Sequence, residues 1–271
     1  MLTSLLPFAQ ALLPFFQVFP MFPVAEAPPA MIAAPTNDVD IKRETQQKQH
    51  DAHVVILKVA EAKKPLRTQA ELERVVGEMQ KVYENTTSFS AKYTQRFTFT
   101  LLRRTQESTG AVQFRKPGLM RWDYAAPKVK SFVVDGKSLW VHTPEDHTAM
   151  VNHCFKSDGL TASVSFLWGS GNFLKEFDVA WFPGKFGDAA DFHLALTPKS
   201  SNSVYQKLIL VLDHKSYRVN QSIVVDTQKN VNQFIFSDLV FNRGVSKKTF
   251  QFTAPKGTHV SPIPGTCTPP K

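Results

Sequence analysis

The sequence predicts a mainly β (α+β) fold, an incomplete antiparallel β-barrel of about ten strands covered by amphipathic lid helices. Three observations predict it. Downstream of residue 88, apolar and polar residues alternate through about ten separate segments, the period-two signature of half-buried strands. Only two stretches carry helical spacing, so there is no strand–helix–strand rhythm to build a parallel sheet. The chain has 271 residues, 42% hydrophobic and 20% charged, which suits one sizeable core and is too apolar for wholesale disorder. A fully closed barrel needs no plug, so amphipathic helices beside such a sheet imply an opening that they cover.

Residues 1–27 read as a signal peptide. The first 25 residues are uncharged and rich in Leu and Phe, and Ala25-Glu26-Ala27 forms a small-x-small cleavage site. Pro7, Pro14, Pro20 and Pro23 argue against a spanning helix. Export to the periplasm is the expectation. Residues 28–67 turn Pro/Ala-rich, then Gln- and charge-rich, and read as a flexible polar linker with Val54 to Leu57 as its one apolar island. The folded domain is expected over 68–262, with a Pro-rich tail over 263–271.

A helix begins near Thr68, where Leu72, Val75, Val76, Met79, Val82 and Tyr83 recur at helical spacing. The first strand follows, with Phe89, Ala91, Tyr93, Phe97, Phe99 and Leu101 on one face. Gly110, Val112 and Phe114 mark the second strand, Met120, Trp122 and Tyr124 the third. Phe132 and Val134 mark the fourth, which turns through Asp135-Gly136 into Leu139 and Val141. Ser157 to Lys175 interrupts the alternation, and Leu160, Val164, Leu167 and Trp168 predict a second helix there. Strands resume at Phe177 to Trp181 and at Phe192 to Leu196. Runs starting at Tyr205, Arg218 and Val231 are spaced thirteen residues apart, the rhythm of a meander, and Phe250 with Phe252 closes the series.

A strongly curved sheet encloses an apolar space. Shared strand faces predict that Phe97, Phe99, Phe114, Met120, Trp122, Tyr124 and Val141 line it. Val76, Met79, Val164 and Leu167 are expected to face it from the helices. Ordinary core packing without a cavity is the competing reading of the same residues.

Several chemistries fail on spacing. Asp135-Gly-Lys-Ser138 resembles the end of a phosphate-binding loop, but Ser131 occupies the place of the first glycine and no helix follows. Ser170 lies between Gly169 and Gly171, without the G-x-S-x-G frame of a nucleophile elbow. His142 falls on the opposite strand parity from His147 and His153, so no zinc set beside Cys154 is expected. Neither an enzyme nor a cofactor or metal site is expected. The net charge of +9 is spread along the chain and selects no partner by itself. A nucleic-acid-binding sheet is disfavoured because the aromatics share faces with Val, Leu and Met rather than with Arg and Lys. Cys154 and Cys267 are the only thiols, and in an oxidising compartment they are expected to pair.

Five motifs occur in order: Thr87-Ser-Phe-Ser-Ala-Lys-Tyr-Thr-Gln95 after an amphipathic helix, Phe114-Arg-Lys-Pro-Gly-Leu-Met-Arg-Trp-Asp-Tyr124, Val134-Asp-Gly-Lys-Ser-Leu-Trp140, Leu196-Thr-Pro-Lys199 and Phe250-Gln-Phe-Thr-Ala-Pro-Lys-Gly257. Together they resemble the LolA family of periplasmic outer-membrane lipoprotein carriers, over about residues 70 to 260. The resemblance implies a monomeric chaperone whose cavity holds the acyl chains of lipoproteins. It implies loading by an inner-membrane ABC-type releasing complex and delivery to an outer-membrane lipoprotein receptor. It also implies a lid latch at the residue before the motif's proline, where family members usually carry Arg; here Lys116 stands there, with Arg115 beside it. Lysine lacks the planar fork of arginine, so the latch is weaker or shared with Arg115. The physics agrees with the carrier reading: a sixteen-carbon chain left in water forfeits roughly 12 kcal/mol. A membrane-anchored receptor and a carrier of other lipids on the same fold are the alternatives; the missing N-terminal Cys counts against the receptor.

Overall fold

The computed structural model describes residues 68–155, 172–184, 186–188, 190–200, 203 and 205–264. The expected signal peptide and linker, most of the second helical stretch with Val164 and Leu167, and the tail with Cys267 lie outside them.

Helix α1 (Gln69–Glu84) starts at Thr68, whose hydroxyl accepts from the Glu71 amide at 3.2 Å, an N-cap that satisfies one orphan donor. Leu72, Val75, Val76, Met79 and Tyr83 form its buried stripe. Each such side chain contributes up to about 2 kcal/mol on leaving water.

The strands are β1 (Ser88–Phe99), β2 (Arg104–Arg115), β3 (Leu119–Ala126), β4 (Lys130–Asp135), β5 (Leu139–Thr143) and β6 (Thr148–Asn152). After the single-turn helix α2 (Phe173–Glu176) come β7 (Phe177–Trp181), β8 (Phe192–Pro198), β9 (Tyr205–Leu212), β10 (Val219–Asp226), β11 (Val231–Phe241) and β12 (His259–Pro262). They form one sheet in the order β12-β6-β5-β4-β3-β2-β1-β11-β10-β9-β8-β7. Among the described residues its edges, β12 and β7, do not pair with each other, so the curled sheet is an incomplete barrel as expected. Asp135-Gly136 does make the β4–β5 turn: Gly136 takes φ 94° and the Asp135 carboxylate accepts from the Lys137 and Ser138 amides. Asp213 and Asp226 close the β9–β10 and β10–β11 turns in the same way.

Three strand expectations need correction. Among the described residues the sheet has twelve strands against the ten or so expected, because alternation missed β6 and β12. The latter runs parallel to β6, with His259 opposite Thr148 and Pro262 opposite Val151, and owes its conformation to that neighbour rather than to its own pattern. Phe250 and Phe252 do not form a strand. Lys247–Phe250 is a 3-10 turn that packs the Phe250 ring, 1% exposed, into the core. Leu101, placed by alternation on the inward face, instead sits in the β1–β2 turn at 93% exposure.

The concave face carries the main apolar cluster, and α1 lies against it. A second, smaller cluster of Phe182, Ile209, Val211, Ile223, Val225 and Val231 covers the other face of β9 and β10. Burial on both faces explains why these strands are nearly continuous in apolar residues.

Candidate functional site

The concave wall is aromatic. Tyr93 of β1, Trp122 of β3 and Phe234 of β11 meet with ring centroids 5.1 to 5.6 Å apart, and Tyr124 approaches Tyr93 at 5.5 Å. Strand pairing puts them there: Tyr93 faces Gly110, and Gly110 faces Tyr124 across β2. The missing side chain at Gly110 leaves the space that the Tyr93 ring crosses to donate its hydroxyl to the Asp123 carbonyl at 3.1 Å. Burial pushes the Tyr93 phenol well above its ordinary pKa, so it remains a neutral donor.

Most of the residues expected to line a cavity are gathered on this wall. Phe114, Met120, Trp122 and Val141 from the sheet and Val76 and Met79 from α1 belong to one buried cluster. Tyr124 packs against it partly exposed. Phe97 and Phe99 contact each other edge to face at 4.6 Å but stand outside that cluster, toward the β1–β2 turn. Sequence reading missed Tyr93, Phe234, Phe236 and Phe132 as wall residues, although their strand parity carried the signal. It also missed a polar pair on the wall, where Gln95 donates to Asn232 at 2.8 Å.

Helix α1 bridges the wall and is tied at both ends. At its start, Trp181 of β7 donates its indole N–H to the Thr68 carbonyl at 3.2 Å, and Arg74 donates to the Tyr217 hydroxyl at 2.8 Å. Near its end, the Tyr83 hydroxyl accepts from the Val219 amide at 3.1 Å.

The final carbonyls are held by Lys116, whose Nζ donates to Tyr83 O at 2.7 Å and Glu84 O at 3.0 Å. A cation at this position satisfies orphan carbonyls and opposes the negative end of the helix dipole. Burial lowers the Lys116 pKa from its ordinary value. Arg115 points elsewhere and donates to the Val245 carbonyl, fastening the segment after β11. Phe89, Phe114, Arg115, Lys116 and Leu119 line a shallow surface cleft beside this end of α1.

The three histidines do not converge. His142 packs on Phe252, His147 occupies a left-handed turn position and His153 lies beside Trp140. Among the described residues, the one gathering of metal-ligand types is Asp191, just before β8, with Asp213 and His214 of the β9–β10 turn. There His214 Nδ1 is 3.8 Å from the Asp191 carboxylate. Cys154 is disulfide-bonded; Cys267, its expected partner, lies outside the described residues.

Comparison with known proteins places these features in a family. Residues 84–253 match the family described as outer membrane lipoprotein carrier protein LolA. The outer-membrane lipoprotein carrier protein of Methylobacillus flagellatus is 27% identical over 178 residues, covering 66% of this chain and 84% of that one. That of Dechloromonas aromatica is 26% identical over 186 residues, covering 68% and 86%. Among solved structures, a LolA superfamily protein from Nitrosomonas europaea is similar at 14% identity and a TM-score of 0.37, covering 67% of this chain and 97% of that one.

Proposed function

The chain belongs to the LolA family of outer membrane lipoprotein carrier proteins, and from that premise we propose that it shelters the acyl chains of lipoproteins against its concave wall. The observation that carries this reading is the aromatic wall faced by the apolar stripe of α1, a helix whose last carbonyls are fastened by side-chain hydrogen bonds from Lys116 and Asn242. A curled sheet with unjoined edges admits a guest by displacing a helix without breaking a strand pair. The protein works by binding rather than by bond chemistry. It acts in the periplasm after removal of residues 1–27, receives cargo from an ABC-type inner-membrane releasing complex and passes it to an outer-membrane receptor. Neither step requires more of this protein than moderate affinity and a movable cover.

Photo-crosslinkers test the site. A crosslinker at Trp122 or Phe99 is expected to capture lipoprotein acyl chains, while one at the opposite-parity Arg121 or Thr98 is expected not to. Capture from Arg121 and Thr98 alone would reverse the assignment of faces.

The partner of Cys154 is Cys267 in this reading. What supports it is that β12 runs parallel to β6 and the Ile263 amide donates to the Val151 carbonyl at 2.9 Å, three residues before Cys154. Non-reducing alkylation of periplasmic protein is expected to find no free thiol and an intrachain link; two labelled thiols, or a disulfide-linked dimer, would refute the pairing.

A further inference from the structure

We propose that the β1–β2 hairpin tip is a docking element for anionic lipid surfaces, on which Leu101 and Leu102 insert and Arg103 and Arg104 engage phosphates. Leu101 is 93% and Leu102 68% exposed, the two most exposed large apolar side chains among the described residues. The turn holds them out by construction. The Thr100 amide donates to Asn230 Oδ1 at 3.2 Å, the Thr100 hydroxyl donates to the Lys229 carbonyl at 2.6 Å, and the Arg103 amide returns to the Thr100 carbonyl at 3.3 Å. The hairpin therefore leans on the β10–β11 turn and presents both leucines from a supported backbone.

The hairpin also reaches past its neighbour. Pairing between β2 and β3 ends at Thr109 and Ala126, so residues 104–108 overhang β3 by about 16 Å at the usual strand rise. Between Gln95 and Ser108 the acidic residue is Glu107, and Arg96 neutralises it at 2.9 Å. Arg103 and Arg104 thus add positive charge beside the leucines, while on the supporting turn the charge of Lys229 is balanced by that of Asp226. Two leucines on so narrow a tip offer far less than the roughly 800 Å² per partner of a stable protein interface. A bilayer accepts a narrow wedge, and cationic flanks add attraction to anionic headgroups.

The location gives the docking a purpose, which rests on the carrier reading above. Phe99 and Phe97 follow inward from the tip on the wall face of β1, so a chain leaving the bilayer beside Leu102 meets the aromatic wall within a few residues. Membrane docking itself requires no cargo, so the two ideas can fail separately.

The test is flotation of periplasmic protein with vesicles of phosphatidylethanolamine and phosphatidylglycerol, against vesicles of phosphatidylcholine alone, with no lipoprotein present. Wild type is expected to float with the anionic vesicles and to be released by salt. Leu101→Asp with Leu102→Asp is expected to partition at least about tenfold less, a change of about 1.4 kcal/mol, with an unchanged melting temperature. Arg103→Gln with Arg104→Gln is expected to remove the preference for anionic vesicles. Leu102→Trp is expected to show blue-shifted emission, quenched by brominated lipid. Absence of flotation, or flotation unaffected by the leucine substitutions, would overturn the proposal. So would leucine variants that bind vesicles normally but fail to deliver cargo to a detergent-solubilised receptor, which would make the tip a protein contact. Crosslinking at Trp122 reports on the carrier reading whichever way flotation falls.

Discussion

Gly110→Val is expected to destabilise the protein by about 3 kcal/mol, the upper end of what overpacking usually costs, and to abolish acyl-chain capture at Trp122. A Cβ at position 110 would stand 2.0 Å from the Asp123 carbonyl oxygen and 2.5 Å from the Tyr93 hydroxyl. The first is backbone in a paired strand, so relief requires β2 and β3 to part at a place where their register already shifts between Thr109 and Gly110. The second holds Tyr93 against Trp122, Tyr124 and Phe234. Turning that ring aside breaks its bond to Asp123 and leaves a polar group in an apolar wall. Because the clash begins at Cβ, Gly110→Ala is expected to be nearly as damaging. Gly77 on α1 supplies the contrast: a Cβ there meets nothing within 4 Å, so Gly77→Ala is expected to be neutral or to stabilise by up to about 1 kcal/mol. Urea denaturation of the variants decides the matter. Equal midpoints for wild type and Gly110→Ala would show that the wall repacks freely.

What the sequence could disclose followed the reach of each interaction. Strand parity is local, so alternation placed Phe114, Met120, Trp122 and Val141 on one wall and the spacing of Val76 and Met79 turned α1 toward it. Alternation could not say where β1 ends. Leu101 continues the pattern, yet Thr100 is already turned by Asn230 and Lys229, some 130 residues away in the chain. Strand β12 was illegible for a similar reason, since His259 to Pro262 has no alternating pattern and is extended because β6 lies beside it. Phe250 and Phe252 misled in the opposite sense: their spacing is that of a strand, but a 3-10 turn capped by Ser246 carries the Phe250 ring into the core without any strand pairing. The role of Gly110 depends on a contact among three strands and was likewise invisible, although Gly inside a strand pattern is itself a sign of close approach.

The latch shows how a position can be read correctly while its geometry is not. The motif drew attention to Lys116 and Arg115 together, and the structure divides them, giving Lys116 the end of α1 and Arg115 the segment after β11. Lys116→Leu therefore removes the two bonds to Tyr83 and Glu84 carbonyls while keeping an apolar side chain in the cleft that Phe89 and Phe114 help to line. The native wall remains packed, so the protein is expected to stay folded. Losing a charge-assisted bond at this partly exposed rim is expected to cost about 1.5 kcal/mol, close to tenfold in the equilibrium for releasing the end of α1. Hydrogen exchange of the amides between Gln80 and Thr86 is expected to quicken by about that factor, while amides of β9 and β10 are expected not to change. Lys116→Arg retains a donor of greater reach and is expected to restore protection. In transfer, a looser helix end is expected to shorten cargo retention, so that Lys116→Leu releases bound lipoprotein faster and loads less of it at equilibrium. Unchanged exchange across Gln80 to Thr86 would mean that the buried stripe and the bonds to Val219 and Asn242 hold the helix end without Lys116.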